Sequence, residues 1–497
     1  MNKNSTSNHP EWALAQKRPG TELRLIRGNY YLYEYKTVYD KAKKQARKIS
    51  GPILGSITQK DGFVPSAKRS LERSKESSIQ IQGIQCKEFG VSKLVLDQFK
   101  IFIDVMQDVF PDDWKDILAI AYCRFVYRCP LKNIPFRLAS AYLPDLINLK
   151  PFSEKHSSGI LNRIGADREK ILKYMKTFIT PGEYLLMDAT DIFSASEQIK
   201  LAQKGYNSNL QYDTQFSLMY IYSAHSHMPV YYRLLAGNIR EVKSFKNCLR
   251  EAGLEKAVII ADKGFYSQTN MELLLQEELL FILPLRRNNT LVSYQEITEN
   301  RFKTGDSFFT HQQRPIWYKT YQMPNHKDST NQSLKIIVYL DDQLRIREEA
   351  DYLKRIKTHP EKYSIQEYHL RKDRFGTIAI ITTLQENEES IYETYKSRMS
   401  IEVMFDSMKN VLEADHTYMQ NEQTLQGWMF VNHIALQWYQ HLYIELKENN
   451  LLKKISVNDY IQLLTDVKKI KINETWHLNE FTAQTQKLID KLGVKLI

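Results

Sequence analysis

The segment Tyr395–Lys409, with the sequence YKSRMSIEVMFDSMK, constrains this chain more than any other. Its polar residues Arg398, Glu402 and Lys409 follow Tyr395 at offsets of three, seven and fourteen. On an α-helix these offsets correspond to roughly 300°, 340° and 320° around the axis. We therefore predict one helix with a polar stripe and an apolar face that packs on a core. A phenol, a guanidinium, a carboxylate and an ammonium in one row suit a phosphodiester backbone with a metal ion near its middle.

The stripe also has an ordinary interpretation. Arg398 and Glu402 are four residues apart, a spacing at which opposite charges pair on many solvent-facing helix surfaces. Carboxylates on strands upstream of this helix would favour the functional interpretation.

Composition bounds the class of protein and of partner. Of the 497 residues, 42% are hydrophobic and 26% are charged, which is typical of a folded globular protein. The net charge of +11 favours a polyanionic partner, nucleic acid before membrane. The sequence has no apolar leader and no run of eighteen apolar residues, so we expect a cytoplasmic, nucleoid-associated protein without a membrane partner. The four cysteines form no CxxC pair and are predicted to be free thiols rather than zinc ligands.

The sequence of the first 180 residues indicates two basic regions that precede the α/β pattern beginning at residue 181. Residues 1–80 contain β-prone runs, LRLIRGNYYLYEY and KISGPILGSI, on either side of a basic loop, DKAKKQARK. That loop is either a solvated turn or a contact to a DNA backbone. Residues 81–180 have helical periodicity, and we predict a DNA-binding region, although no spacing identifies a recognition helix. Four residues add positive charge to it: Arg124, Arg128, Lys132 and Arg137.

From residue 181 the predicted secondary structure changes to an α/β pattern. The strand YLLMDAT carries Asp188, and the strand AVIIA ends on Asp262. The carboxyl ends of such strands are the usual position of a ligand site. We predict an α/β core of residues 181–288 and 378–446, interrupted by a β-rich insertion at 289–377. An apolar core helix is predicted at Leu425–Tyr443, and residues 447–497 form a tail.

These features together resemble the ribonuclease-H-like catalytic core of DDE transposases. The Tyr-x2-Arg-x3-Glu-x6-Lys spacing of Tyr395 to Lys409 resembles the mark of one bacterial branch, insertion sequence family four. Asp188-Ala189-Thr190 and Asp262-Lys263-Gly264-Phe265 are similar to the first and second aspartate motifs of that branch. Leu235-Ala236-Gly237-Asn238 also matches it.

The resemblance implies an enzyme, a polynucleotidyl transferase that moves an element flanked by inverted repeats by cut-and-paste. It implies that Asp188, Asp262 and Glu402 are catalytic and hold two Mg²⁺ ions, for which Mn²⁺ can substitute. Two such ions stabilise the attacking and the leaving oxygen of a phosphoryl transfer. Tyr395, Arg398 and Lys409 would hold DNA. The implied partners are double-stranded DNA, both element ends and target, and a second copy in a homodimer assembled on DNA.

Some assignments have rivals that the sequence leaves open. Trp317, the only tryptophan of the insertion, either stacks on a flipped base, as the resemblance suggests, or packs within the insertion. Asp406, one helical turn beyond Glu402, is the main rival carboxylate. The family resemblance selects Asp188 and Glu402 rather than Asp191 or Asp341-Asp342. Two other functions stay open: a catalytically inactive DNA-binding relative, and a metal-dependent nuclease that cuts without joining.

Overall fold

The structure is a computed structural model that describes most of the chain. The described residues are 9–40, 45–66, 84–194, 196, 198–206, 212–236, 242–254, 258–262, 264–323, 333–414, 416–472, 474–494 and 496. They divide into two compact units, Met1–Ile84 with Lys471–Thr475, and Gln85–Ile470 with Trp476–Ile497. Three predicted features lie partly outside the described residues: the basic loop at 41–44, Lys263 of the second aspartate motif, and Gly237-Asn238.

The first unit is built on a four-stranded antiparallel sheet of order β1-β2-β3-β4. Its elements are α1 (Glu11–Leu14), β1 (Thr21–Ile26), β2 (Asn29–Asp40), β3 (Gln45–Thr58) and β4 (Gly62–Pro65). Arg27 and Gly28 both have positive φ, as the tight turn between β1 and β2 requires. Leu23, Leu32 and Ile57 form a small core with α1. The predicted hairpins are confirmed.

The second unit begins with a helical region. Its elements are β5 (Ile84–Glu88), α2 (Gly90–Gln98), α3 (Lys100–Val109), α4 (Trp114–Tyr127), α5 (Ile134–Ala139), α6 (Leu143–Ile147), α7 (Glu154–Ala166) and α8 (Arg168–Lys176). The buried side chains of these helices belong to the same hydrophobic core as those of the central sheet. The change of sequence pattern near residue 180 therefore marks a change from helices to strands within one hydrophobic core.

The central sheet runs through the second unit in the order β12-β13-β14-β15-β11-β10-β6-β8-β7, with β9 paired to β8 and β16 to β6. Its strands are β6 (Tyr184–Ser194), β7 (Gln203–Tyr206), β8 (Tyr212–Ser223), β9 (Met228–Ala236), β10 (Val258–Ala261), β11 (Leu280–Leu285), β12 (Phe308–His311), β13 (Arg314–Gln322), β14 (Lys335–Asp341), β15 (Thr377–Thr382) and β16 (His416–Thr417). Strands β6, β10 and β11 are parallel, while β8 is antiparallel to β6 and β9 to β8. The mixed α/β fold predicted from the sequence is confirmed.

The helices of this unit alternate with those strands. They are α9 (Val242–Ala252), α10 (Gln268–Gln276), α11 (Gln295–Thr298), α12 (Asp342–Thr358), α13 (Ile365–Arg371), α14 (Glu388–Lys396), α15 (Met399–Asp406), α16 (Glu422–Glu448), α17 (Val457–Thr465) and α18 (Ala483–Lys491). Two short strands, β17 (Lys468–Ile472) and β18 (Thr475–Leu478), lie between the last two helices. In the part of the chain that is described, no helix is both long and apolar enough to cross a membrane. The four cysteines are free, as predicted.

The insertion at 289–377 contains helices as well as strands. Strand β14 pairs antiparallel with β15, so that β12, β13 and β14 extend the central sheet. Helices α11, α12 and α13 fall in the same interval. The description "β-rich" is therefore too narrow for the described residues. Strand pairing between distant segments leaves no local signal in the sequence, so the continuity with the central sheet was not foreseen.

Helix α16 is the centre of the helical layer, and its burial confirms the predicted core helix. Trp438 and His433 are fully buried, and His433 stacks on Tyr220 of β8 with ring centroids 5.7 Å apart. Helix α7 crosses α16 at two glycines, Gly165 and Gly427. A Cβ on Gly427 would lie 2.1 Å from the carbonyl oxygen of Leu161, and one on Gly165 would lie 1.8 Å from that of Gln423. Glycine at this crossing lets the two backbones touch.

We predict that Gly427→Ala lowers the free energy of unfolding by about 1–3 kcal/mol, because the added methyl group forces the two helices apart. The measurement is urea or thermal unfolding of the full chain. Gly159→Ala is the matched control on α7: a Cβ at this position would meet no atom within 4 Å, and alanine there should stabilise by up to about 1 kcal/mol. Equal stability of the two variants would contradict the described helix crossing.

Candidate active site

Two strand carboxylates lie side by side where β10 ends. Ala261 of β10 is level with Met187 of β6, so the next residues, Asp262 and Asp188, are level as well. Neighbouring residues at one level of a parallel pair point to the same face of the sheet. Strand β6 continues to Ser194 and pairs with β16 from Phe193 onward. Asp188 therefore lies inside its strand, as in the predicted strand YLLMDAT, and at the carboxyl end of the β6–β10 pairing.

The segment that carries Glu402 is not the single regular helix that the sequence predicted. Helix α14 ends at Lys396, and Ser397 and Arg398 form a turn with three-residue hydrogen bonds, including Ile401 N to Arg398 O at 3.0 Å. After α15, Ser407–Val411 is π-helical, with Leu412 N donating to Ser407 O at 2.9 Å. Tighter and wider turns change the rotation per residue, so the straight stripe from Tyr395 to Lys409 is wrong in detail. Apolar periodicity alone does not reveal such local changes in winding.

The turn between α14 and α15 places Arg398 against all three predicted catalytic carboxylates. Its guanidinium nitrogens lie 3.5 Å from Asp188 Oδ2 and 3.9 Å from Asp262 Oδ1, and one hydrogen-bonds to Glu402 Oε1. The side chain of Arg398 is 16% exposed, that of Asp188 22% and that of Glu402 52%. Helix α15 packs against β6, which brings Glu402 over the strand of Asp188. The structure thus assembles the three carboxylates around one cation.

The electrostatics of Asp188 reflect this crowding. Burial raises the pKa of Asp188 to about 6, against the opposing effects of a hydrogen bond from Ala189 N and the charge of Arg398. Asp262 and Glu402 raise that pKa further by like-charge repulsion. Burial acts to lower the pKa of Arg398, but its acidic neighbours outweigh burial and the pKa is raised. The cluster therefore binds positive charge strongly.

The other predicted DNA-contacting residues occupy different positions. Tyr395, on the last turn of α14, is half-buried beside Arg398, and burial raises the pKa of its phenol. Lys409 is half-buried in the π-helical turn. Trp317 on β13 is level with Phe308 on β12, and the two rings pack with centroids 5.0 Å apart. Trp317 therefore packs within the insertion, while its contact to DNA stays a prediction.

Comparison with known families shows the family of the chain. The family described as Transposase DDE domain matches residues 180–438, more than half of the chain. The chain belongs to the DDE transposase family. Asp188, Asp262, Glu402 and Lys409 all fall within the matched range. The bacterial insertion-sequence origin and the family-four branch stay predictions.

Other comparisons are less informative about this transposase. No curated protein matches the chain. One similar solved structure is described as a cryo-EM structure of the piggyBac transposase synaptic complex with hairpin DNA. The similarity covers 76% of this chain and 70% of that one, at 12% identity and a TM-score of 0.35. A score this low does not bear on the fold or on function.

The rival carboxylates have separate structural partners. Asp341 is buried, accepts a hydrogen bond from Leu344 N at 3.0 Å at the start of α12, and pairs with Arg314 at 3.0 Å. Asp406 is exposed and accepts a hydrogen bond from Asn410 Nδ2 at 2.6 Å. These contacts account for both residues without catalysis. They favour Glu402 over Asp406 as the helix carboxylate of the transposase.

The chemistry of the cluster fits a divalent metal, although its present arrangement is that of an ion-paired site. Three carboxylates supply the oxygen donors that a hard cation prefers, and Arg398 already shows that the site accommodates positive charge. Among the described residues, no three His, Cys, Asp or Glu side chains are close enough to hold one ion together. Arg398 lies between the carboxylates in this arrangement. Joint binding of an ion therefore requires the guanidinium to move.

The role of Arg124 was missed by the sequence analysis, which counted it among the residues that add positive charge to the helical region. Arg124 is 2% exposed, so its charge lies in the interior. Its five N–H groups have acceptors in Asn432 Oδ1 and the carbonyls of Arg128, Cys129, Leu412 and Glu413. Its guanidinium also lies 4.7 Å from the ring centroid of Trp428. Burial lowers its pKa to about 10, so that it stays charged at neutral pH.

Through these bonds Arg124 joins α4 to the carboxyl end of the helix that carries Glu402. The carbonyls of Leu412 and Glu413 follow the π-helical turn directly, where a helix end favours positive charge. One signal in the sequence could have indicated this role: Arg124 is the only charged residue in the last eleven positions of α4, ILAIAYCRFVY, which are otherwise uncharged and mostly apolar.

We predict that Arg124→Met lowers the free energy of unfolding by about 3 kcal/mol, because buried carbonyls lose charged donors. Arg137→Met removes an exposed arginine from the same region and should change stability by less than about 1 kcal/mol. Urea unfolding of the full chain measures both. A loss for Arg124→Met no larger than that for Arg137→Met would contradict the buried network.

Proposed function

We propose that this transposase cleaves and joins DNA strands at the ends of an insertion sequence, by a cut-and-paste reaction in a ribonuclease-H-like core. The observation that carries the proposal is the convergence of Asp188, Asp262 and Glu402 on Arg398. The strand order β9-β8-β6-β10-β11, with β10 and β11 parallel to β6, supports the ribonuclease-H-like assignment. Asp188 lies on β6, the middle strand of these five, and Asp262 directly follows β10, the strand beside it.

In this proposal Asp188, Asp262 and Glu402 hold two Mg²⁺ ions, for which Mn²⁺ substitutes. When bound, the ions supply an activated water and neutralise charge on the scissile phosphate. Arg398 leaves the carboxylates and donates hydrogen bonds to phosphate oxygens, for which its planar fork is suited. Tyr395, beside Arg398, and Lys409 contact the neighbouring DNA backbone. Burial of Asp188 and of Arg398 keeps bulk water from these contacts.

The reaction has two phosphoryl transfers. In the first, water attacks a phosphodiester at the element end and releases a 3′-hydroxyl. In the second, that hydroxyl attacks a phosphodiester of the other strand or of target DNA, and a new 3′-hydroxyl leaves. The partners are duplex DNA and a second copy of the chain in a homodimer assembled on DNA.

Two other functions remain as alternatives with distinct outcomes. A catalytically inactive DNA-binding relative has no use for three assembled carboxylates, and all three are present. A nuclease that cuts without joining would leave no strand-transfer product when given labelled element ends and target plasmid. Terminal inverted repeats flanking the gene would argue for transposition.

We predict that Glu402→Gln abolishes strand cleavage and joining in Mg²⁺ while end binding and folding persist, because the amide lacks the charge a hard cation requires. Asp406→Asn is the matched control on the same helix and should retain cleavage near the wild-type rate. Gel-shift binding and cleavage of labelled end duplex are measured in parallel. Robust cleavage by Glu402→Gln, with Asp406→Asn inactive, would overturn the assignment.

For Trp317 we predict a loss of DNA cleavage beyond the loss of packing. Stacking on a base is worth about 1–3 kcal/mol, so Trp317→Ala should weaken the cleavage complex by roughly 5- to 150-fold. Phe308→Ala breaks the same ring pair and leaves the indole, which separates packing from stacking. The readouts are thermal stability and single-turnover cleavage. If both variants lose equal stability and both cleave normally, Trp317 has only a packing role.

A further inference from the structure

The hairpin β2–β3 continues well beyond the sheet to which it belongs. Strand β1 pairs with β2 only as far as Glu34, and β4 pairs with β3 only as far as Gly55. Beyond these points the described strand pairing is between β2 and β3 only, from Tyr35 opposite Ser50 to Asp40 opposite Gln45. At the inner end, Tyr35 N still donates to Gly20 O, and Ser50 Oγ accepts a hydrogen bond from Arg24. Six residue pairs form this two-stranded ribbon, about 17 Å long at roughly 3.4 Å per residue. We call residues 35–40 and 45–50 the ribbon.

Both faces of the ribbon are exposed. Side chains 36–39 and 45–50 are all exposed, and Val38, Tyr39 and Ile49 are 49%, 61% and 51% exposed. The inner half of the same hairpin, by contrast, packs Leu32 and Ile57 into the small core. A two-stranded ribbon without a packed face is marginally stable in water. Exposed β-branched and aromatic side chains on it therefore indicate a surface that a partner covers.

The charge of the ribbon indicates which partner. The ribbon contains three basic residues, Lys36, Arg47 and Lys48, and one acidic residue, Asp40. In the sequence, the adjoining positions 41–44 add three lysines and no acidic residue. Paired residues share a face, so Lys36 lies with Ile49 on one face and Thr37 with Lys48 on the other. Each face thus combines cations with uncharged groups. A second copy of the ribbon would be repelled by this charge, whereas a polyanion would be attracted.

We propose that the ribbon enters the major groove of duplex DNA at the element end. This rests on the proposed function, since it assumes that the transposase binds element ends. The major groove, about 12 Å wide, admits a two-stranded ribbon, while the minor groove, about 6 Å wide, does not. In that position the cations reach the phosphates along the groove. Tyr39 then lies at the base edges, where apolar groups contact thymine methyl groups, while Val38, the preceding residue of the strand, points to the opposite face.

The test uses the full-length protein and a fluorescent duplex of the element end, titrated at several salt concentrations. The triple variant Lys36→Gln, Arg47→Gln, Lys48→Gln should reduce the slope of log affinity against log salt by about 2–3, since each phosphate contact contributes about 0.9. The matched control replaces three exposed arginines that pair with neighbouring acidic side chains and lie outside the regions assigned to end binding: Arg301, Arg355 and Arg371. It removes the same charge and should leave the slope unchanged.

A second experiment tests the groove. Methylation of guanine N7 blocks the major groove and methylation of adenine N3 blocks the minor groove, so interference maps distinguish the two. We expect N7 interference with the wild type that disappears with Tyr39→Ala, because Tyr39 is 61% exposed and its replacement leaves folding intact. That variant should also lose at least 10-fold in preference for end over scrambled duplex.

The outcomes separate the two claims. If the wild type binds end and scrambled duplex equally at every salt concentration, the proposed function fails and the inference fails with it. If the wild type selects the end but the triple variant keeps its slope, or N7 methylation never interferes, the inference alone is overturned. A reduced slope together with lost N7 interference supports it.

Discussion

The active site depends on the balance of three carboxylates against one guanidinium. Asp188, Asp262 and Glu402 repel one another, and burial further penalises the charge on Asp188, whose pKa is raised to about 6. Arg398 offsets this repulsion by contacting all three. In the proposed reaction this cluster exchanges its internal cation for metal ions, and the guanidinium binds another anion instead. A DNA phosphate would be such an anion, so the proposal links metal binding to DNA binding.

The scaffold fixes this balance through long-range contacts. The parallel pairing of β6 and β10 brings Asp188 and Asp262 to the same level of the sheet. The turn at Ser397–Arg398 places the Arg398 guanidinium next to both carboxylates. Arg124 holds the far end of the same helical segment from α4, nearly three hundred residues earlier in the chain. The helical region at 85–180 therefore supports the catalytic segment directly, whatever DNA contacts its exposed residues make.

The three carboxylates that meet at Arg398 could be singled out from the sequence, whereas their geometry could not, and their catalytic role stays a prediction. Asp188, Asp262 and Glu402 could be found because a carboxylate in an apolar strand or a fixed helical spacing is a local signal. The turn at Arg398 and the π-helical turn after Asp406 were not predicted, because apolar periodicity changes little when one turn tightens or widens. The role of Arg124 was missed because charge predicts a surface position unless buried acceptors are known. The pairing of β14 with β15 is likewise non-local, so no local pattern in the sequence indicated that the insertion extends the central sheet.

Crystals of the transposase with an element-end duplex and Mn²⁺ would test the central claim most directly, since Mn²⁺ is located by its anomalous scattering. The account predicts anomalous peaks bound by Asp188, Asp262 and Glu402, with the Arg398 guanidinium moved from the carboxylates to a DNA phosphate. Peaks bound elsewhere, or an Arg398 that still contacts all three carboxylates in the metal-loaded complex, would contradict it.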